Sequence, residues 1–428
     1  MTAPLAAGCA VLALWGLPAC SGGGGDGSGG STATAAAATA SIEWYDPQTK
    51  RFKKSQGETL YGQFVGERTW WFQNQQVQRK GRYDDQGRET GEWIEYHPNG
   101  VDKARYQYVD GNLAGEWTAW HPNGEKAEQG RYEAGQKVGV WEQWYLTGRE
   151  RSRATFVGDK RSGAFIAWHE DGSLRERGEY VDGQPDGLHE GFAPGDGTQL
   201  IRRGEFDKGR PISALESWHD DGTQEHVQPI EGGERHGEEK AWWTNGQLRY
   251  VKLWERGKRV GDEVQYHDNG SRHIVTQYVE GALDGPMRVW HPSGHLQALV
   301  TNRAGVSVGI ARNWAEDGTL VYLVNFVGGA EDGLQQSWFP DGARKQIGLV
   351  SAGAREGAWY AWDDDGQLVE EVAGLYRAGR KTAPLGAEDR EKAAAALADP
   401  SPQPVESEEV DPLTLFDESG EPRDGAGG

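Results

Sequence analysis

Methionine and cysteine are nearly missing from this chain, each occurring twice in 428 residues. Apolar residues make up only 36% of it, against 63 glycines and 19 tryptophans. So few aliphatic side chains exclude a large conventional core, while the aromatics suit packing on a sheet surface. Cations are in deficit too. Acids outnumber Lys and Arg 66 to 45, for a net charge of −21. That balance argues against a nucleic-acid partner, because phosphates are bound by basic patches. The acidity reads as a solubility device. Catalytic signatures are missing as well: there is no Gly-x-Ser-x-Gly elbow, no Walker-type phosphate loop and no His-Glu-x-x-His. The expectation is a protein that is not an enzyme, with no cofactor and no metal.

The N-terminal segment reads as an address. Ala10–Leu17 is an apolar run of signal-peptide length, too short to span a bilayer as a helix. It leads into Leu17-Pro18-Ala19-Cys20-Ser21, which resembles a bacterial lipoprotein processing site. The resemblance implies removal of residues 1–19 as a signal peptide and a lipid on Cys20, anchoring the protein to a membrane. Cys9 then leaves with the signal, so no internal disulfide is possible. Ser21 is similar to the pattern of lipoproteins sent to the outer membrane of a Gram-negative cell. The expected localisation is the bacterial cell envelope. Up to residue 41 the chain is rich in Gly, Ser, Ala and Thr. Such a stretch acts as a tether with a reach on the order of 25 Å.

The body of the chain is periodic. Gly111-Asn-Leu-Ala-Gly115-Glu-Trp-Thr-Ala-Trp120-His-Pro-Asn-Gly124 recurs about every 24 residues. Five residues after the second glycine position stands an aromatic in thirteen units: Trp71, Tyr96, Trp120, Trp144, Trp168, Phe192, Trp218, Trp242, Tyr266, Trp290, Trp314, Trp338 and Trp362. Each unit divides into two strands. The first resembles Glu116–His121 and ends in an Asn-Gly or Asp-Gly turn, a strong hairpin signal. The second runs through Gly130-Arg131-Tyr132 into another Gly-rich turn. No βαβ alternation appears.

The fold expected is therefore all-β: an elongated single-sheet meander of about thirteen 24-residue hairpins, over residues 42–382. Two strands per unit advance roughly 10 Å, so the body should be on the order of 120 Å long. The thirteen aromatics are expected to stack as a ladder along one face. Residues 383–428 would hold a short helix, at 386–398, and then an acidic tail expected to be disordered. Leu413-Thr-Leu-Phe416 is an apolar island in that tail.

Tyr132-Glu-Ala-Gly135-Gln-Lys-Val-Gly139 and Tyr180-Val-Asp-Gly183-Gln-Pro-Asp-Gly187 resemble MORN repeats, and turns such as Tyr96-His-Pro-Asn-Gly100 resemble the bacterial variant of that repeat. The resemblance covers about residues 58–381. It implies a hairpin-repeat sheet with a binding or scaffolding role, and, since some bacterial variants are labelled antitoxins, it offers an immunity-type inhibitor as a second reading. Asp159, Ser213 and Asn302 depart from the repeat consensus, so their units are expected to be distorted.

Two residue columns invite chemistry. His97, His121, His169, His219, His267 and His291 each follow a repeat aromatic. Equivalent positions lie roughly 10 Å apart, too far to share one metal ion, so a structural role at the turn is expected. Asp171, Asp221, Asp317, Asp341 and Asp365 alternate with Asn99, Asn123, Asn245 and Asn269 ahead of a turn glycine. Exchange of Asp and Asn fits a backbone requirement, not a calcium site. Without a catalytic set, the expected partner is a protein, peptide or glycan bound by the repeat surface. An envelope hydrolase is the remaining alternative.

Overall fold

The computed structural model describes residues 37–398. The leader, Cys20, most of the tether and the tail from residue 399 lie outside the described residues. Within them the chain is one long antiparallel sheet of 32 strands that does not close on itself, with a separate two-stranded piece at Ile230–Glu231 and Glu234–Arg235. Strands pair in sequence order, Asn112–Trp120 with Lys126–Glu133, and that strand with Gln136–Trp144. The two-residue strands Arg210–Pro211, Ala282–Leu283 and Ala330–Glu331 are exceptions and pair only with the strand before them.

Turn chemistry builds this order. Between units the chain turns through two residues that both have positive φ, such as Ala134 at 48° and Gly135 at 82°, the backbone of the tight hairpin turn that matches strand twist. The turn glycine also donates to the preceding unit: Gly135 N–H reaches Leu113 O at 2.8 Å. Asp159 fills the same place at φ 68° and donates its N–H to Lys137 O at 3.1 Å. Asp tolerates the left-handed conformation, and its strand Lys160–Trp168 is unbroken. Asn302 itself lies in the continuous strand Leu296–Arg303, though the first strand of its unit is split at Asp284. The widest gap is at Ser213, where pairing stops between Pro211 and Leu215, while one-residue gaps at Asp284 and Asp332 split the first strand of two other units.

Each unit contains two register shifts. One lies beside the repeat aromatic, as between Ala119 and Trp120, and one faces the second glycine, as between Gln129 and Arg131. Bulges of this kind bend and twist a strand pair without ending it. At the C-terminal end, helix Ala387–Leu397 leans on the last units, with Ala393 buried and Arg390 paired to Glu370 at 2.6 Å.

Candidate interaction surface

Strand alternation gives every unit two faces. Counting from the second glycine, positions +2 and +4 point to one face, and +1, +3 and +5 to the other. Packing separates them in the same way. Ala311, Val324, Val350 and Trp359 form one cluster, and Trp314, Leu320 and Trp338 a second with no shared member.

The ring-to-ring ladder runs along the first face, through residues other than the expected thirteen. Tyr83 meets Trp93 at 5.3 Å, Trp93 meets Tyr108 at 5.9 Å, and Tyr106 stacks on Trp117 at 4.8 Å. The chain of contacts continues from Trp117 to Tyr132, Trp141 and Phe156, then resumes from Phe165 through Tyr180 and His189 to Phe206. No ring contact among the described residues joins two of the thirteen. The reason is spacing. Equivalent residues in successive units lie about 10 Å apart, whereas rings interact at about 4.5–7 Å. The +2 residue succeeds because a Tyr or Phe on the intervening strand bridges the gap.

Glycine makes room for this ladder. A Cβ on Gly81 would lie 2.1 Å from the Trp93 ring, one on Gly130 2.2 Å from Trp141, and one on Gly348 2.4 Å from Trp359. Cations close the ladder from outside: Lys137 Nζ is 3.6 Å from the Trp141 centroid, and the guanidinium of Arg161 4.6 Å from Phe165. The same column supplies Arg355, 4.4 Å from Trp359. Such contacts contribute about 0.5–2 kcal/mol each, depending on solvation.

The thirteen repeat aromatics occupy the opposite face. Phe192, Trp314, Trp338 and Trp362 are buried and the other nine are half-buried. Their backbone is used as well. Each histidine of the column directs Nε2 at the carbonyl of the aromatic in the next unit: His97 to Trp120 at 2.8 Å, His121 to Trp144 at 3.0 Å, and His169 to Phe192 at 2.9 Å. His219, His267 and His291 do the same toward Trp242, Trp290 and Trp314. A carbonyl only accepts, so Nε2 carries the proton. Where histidine is replaced, the Tyr145 hydroxyl or Trp243 Nε1 donates instead, to Trp168 O and Tyr266 O. The column is an inter-unit clasp.

The Asp and Asn column is equally local. Asp171 Oδ1 accepts from Ser173 N–H at 2.7 Å, and Asn123 Oδ1 from Glu125 N–H at 3.1 Å. Asp221, Asp317 and Asp341 repeat the bond, as do Asn99, Asn245 and Asn269. Hydrogen bonds from Ser173 hold the Asp171 carboxyl below its usual range. Asparagine adds a donor: Asn123 Nδ2 reaches Leu146 O of the next unit at 2.7 Å. In the last unit Asp363, not Asp365, accepts from Gln367 N–H. No group of three His, Cys, Asp or Glu residues arranged to hold a metal occurs among the described residues.

A polar break lies beyond Phe206, where the continuous ladder ends. The +2 position holds Glu239 and Glu263, each 4% exposed. Glu239 accepts from His226 Nε2 at 3.1 Å, the Tyr250 hydroxyl at 3.0 Å and Trp254 Nε1 at 2.7 Å. Burial alone would raise its pKa. The hydrogen bonds from His226 and Tyr250, the Lys252 charge and the Trp254 bond outweigh burial and bring it to about 2. Burial, and then the Glu239 charge, push the Tyr250 hydroxyl up to about 12. Glu263 is held by Arg259 and Gln265, both at 2.9 Å. The same +2 position holds Trp, Phe or His in six units and Arg68, Leu215, Met287, Ala311 and Gln335 in others, so the residue type of Glu239 and Glu263 was legible in the sequence but their burial was not.

On the opposite face a row of cations runs beside the repeat aromatics. Arg105, Arg153, Arg177 and Arg203 stand at one strand position. They pair with Asp102 at 2.7 Å, Glu150 at 2.6 Å, and Glu190 at 2.6 and 3.8 Å. Relief is shallow: the groove bordered by Glu116, Arg131, Val140 and Arg153 holds about 600 Å³ and is open to solvent. Val140 and Leu188 stand on this face 51% and 42% exposed.

These features define an open hairpin-repeat protein whose two broad faces differ in chemistry. Residues 235–255, the unit of the polar break, match the family model described as a MORN repeat variant. The match supports a MORN-type repeat protein. The sequence matches no curated protein. Among solved structures, the chain is similar to "Crystal Structure of TcdB2-TccC3" at 12% identity, covering 77% of this chain and 20% of that one with a TM-score of 0.15. It is also similar to "Structure of Photorhabdus luminescens Tc holotoxin pore, Mutation TccC3-D651A" at 10% identity, with 75% and 20% coverage and a TM-score of 0.14. The chain thus spans about a fifth of the chains it matches. Likeness at that TM-score carries no argument about fold or function.

Proposed function

We propose that this protein is a non-enzymatic binding or scaffold module of the bacterial cell envelope, held to a membrane by a lipid on Cys20. The observation that supports binding is the face opposite the ladder. There an aromatic row and, in the earlier units, a cation row recur at one interval, roughly 10 Å per unit. A protein segment, peptide or glycan strand laid along that face would meet the same groups at each unit. Modest contacts then add, because each one raises the effective concentration for the next. The address rests on the Leu17-Pro18-Ala19-Cys20-Ser21 resemblance.

Two measurements test the two parts. Full-length protein is used to capture partners from its native envelope, beside a variant carrying Val140→Asp, Arg153→Glu and Leu188→Asp at exposed positions. At least a tenfold loss of one captured species is expected, with circular dichroism unchanged; equal capture would overturn the assignment of this face. For the anchor, Cys20→Ser is expected to move the protein from the membrane to the soluble fraction. Retention of the variant in the membrane fraction counts against lipidation.

A further inference from the structure

The chemistry of the face opposite the ladder changes halfway along the molecule. The strand position occupied by Arg105, Arg153, Arg177 and Arg203 in early units carries Val251, Val275, Leu299, Leu323 and Ile347 in later ones. Leu299 and Leu323 pack against Trp314, Leu320 and Trp338. Outward of them lie Leu334 and Leu349, directly paired across neighbouring strands and 43% and 51% exposed. Val251 and Val275 are themselves buried, so the aliphatic side chains that this half presents to solvent include Leu334, Leu349 and the equivalent +1 residue Ile310, 46% exposed.

Its cations differ as well. The early arginines are all paired with acids. Arg288 and Arg312 form no hydrogen bond or ion pair among the described residues. They sit half-buried between Val275, Leu299 and Leu323 in the strand register. Asp262, the acid on this face that senses Arg288, has its carboxyl raised by burial, with Arg288 opposing. Arg288 feels Asp262 only at longer range, and neither arginine is in an ion pair among the described residues, so their charge on this partly aliphatic surface suits a ligand that is acidic and apolar together.

The chain itself contains such a segment. Residues 399–428 hold nine acids and one arginine, and Leu413, Leu415 and Phe416 lie among Glu408, Glu409, Asp411, Asp417 and Glu418. The preceding helix delivers the chain to the right place. It ends at Leu397, whose side chain lies 3.6 Å from where a Gly366 Cβ would stand. Its Asp389 also helps burial raise the pKa of Tyr360, a +3 residue of this same face. From Ala398 to Leu413 is fifteen residues. At about 3.3 Å each they reach about 50 Å, or about five units of 10 Å.

We propose that the acidic segment after the helix docks on the C-terminal half of this face. Leu413, Leu415 and Phe416 lie against its exposed aliphatic side chains, Leu334 and Leu349 among them, and the flanking carboxylates meet Arg288 and Arg312. The docking is intramolecular and requires no partner, so it stands or falls separately from the binding role above.

Disulfide trapping in the full-length chain tests it, in a Cys9→Ser, Cys20→Ser background. Leu334→Cys and Gln335→Cys are each combined with Phe416→Cys. These neighbours have the same tether length but lie on opposite faces. Rates are normalised to the reactivity of each single cysteine with a small disulfide reagent, and circular dichroism checks the fold. Trapping through position 334 is expected to be at least tenfold faster than through 335. Adding Arg288→Glu and Arg312→Glu should bring the ratio toward one. Equal rates, a preference for position 335, bonds that join two chains, or indifference to the arginine substitutions would each overturn the proposal.

Discussion

Individual residues hold this sheet together by volume. Gly130 lies beneath the Trp141 indole, where an added Cβ would sit 2.2 Å from the ring. Gly130→Ala is expected to cost about 1–3 kcal/mol, the usual penalty of overpacking. The double variant Gly130→Ala, Trp141→Ala should cost less than the sum of its parts, because removing the ring removes the clash. Urea unfolding of the four forms measures this; strict additivity would mean that the glycine serves some other purpose. Glu239 acts through charge. Its folded pKa of about 2 lies below the ordinary value of 4.5, so the carboxylate stabilises the fold above that ordinary value. The contribution is lost as pH falls through the interval from about 4.5 to about 2. Unfolding free energies of the native protein and Glu239→Gln should therefore converge across that interval. A constant difference down to pH 2 would rule out a charge-based role.

At the scale of the element, the unit is a hairpin clasped to the next by a ring nitrogen and a turn. His121 donates to Trp144 O and Asn123 to Leu146 O. His121→Ala should destabilise by about 0.5–1.5 kcal/mol, the net value of one such bond. His121→Tyr should retain most of it, since Tyr145 makes the same bond one unit later. Thermal unfolding of both variants decides the point; equal losses would show that the ring fills space without donating. The histidine column was legible in the sequence as a turn feature, because strand spacing forbids a shared metal. The same spacing also forbids stacking among Trp120, Trp144 and their equivalents. Contact needed a ring on the strand between, which the Gly-x-Tyr pattern of Gly130 and Tyr132 supplies.

For the whole molecule, stability is a sum over neighbours. Each unit pairs only with the units beside it, as in other repeat arrays. Deleting residues 112–135 removes one period and joins Gly111 to Gln136, recreating the turn found at Gly135. That variant is expected to keep its strand content with a modest loss in melting temperature. Deleting residues 124–135 removes half a period and sets like strands side by side, so it should unfold far more of the sheet. Circular dichroism with thermal melts compares the two, and equal behaviour would contradict in-phase stacking.

The sequence by itself determined the all-β meander and its period. Asn-Gly and Asp-Gly turns at fixed spacing leave a short-hairpin chain no other regular course. Aromatic density was visible too, but the assignment of aromatics to faces was not. One-residue alternation places Trp117 and Trp120 on opposite sides, and only pairing with Tyr106 and Tyr132 shows which side is continuous. Asp159 looked disruptive by residue type, yet its backbone takes the left-handed φ the turn requires. Tertiary structure likewise decided that Glu239 is buried with three donors, and that Arg288 and Arg312 make no close ion pair, among the described residues, of the kind that holds Arg153 and Arg177. These are facts about which strands lie side by side. A list of residues at one period carries the spacing of a surface but not the neighbours that give each position its chemistry.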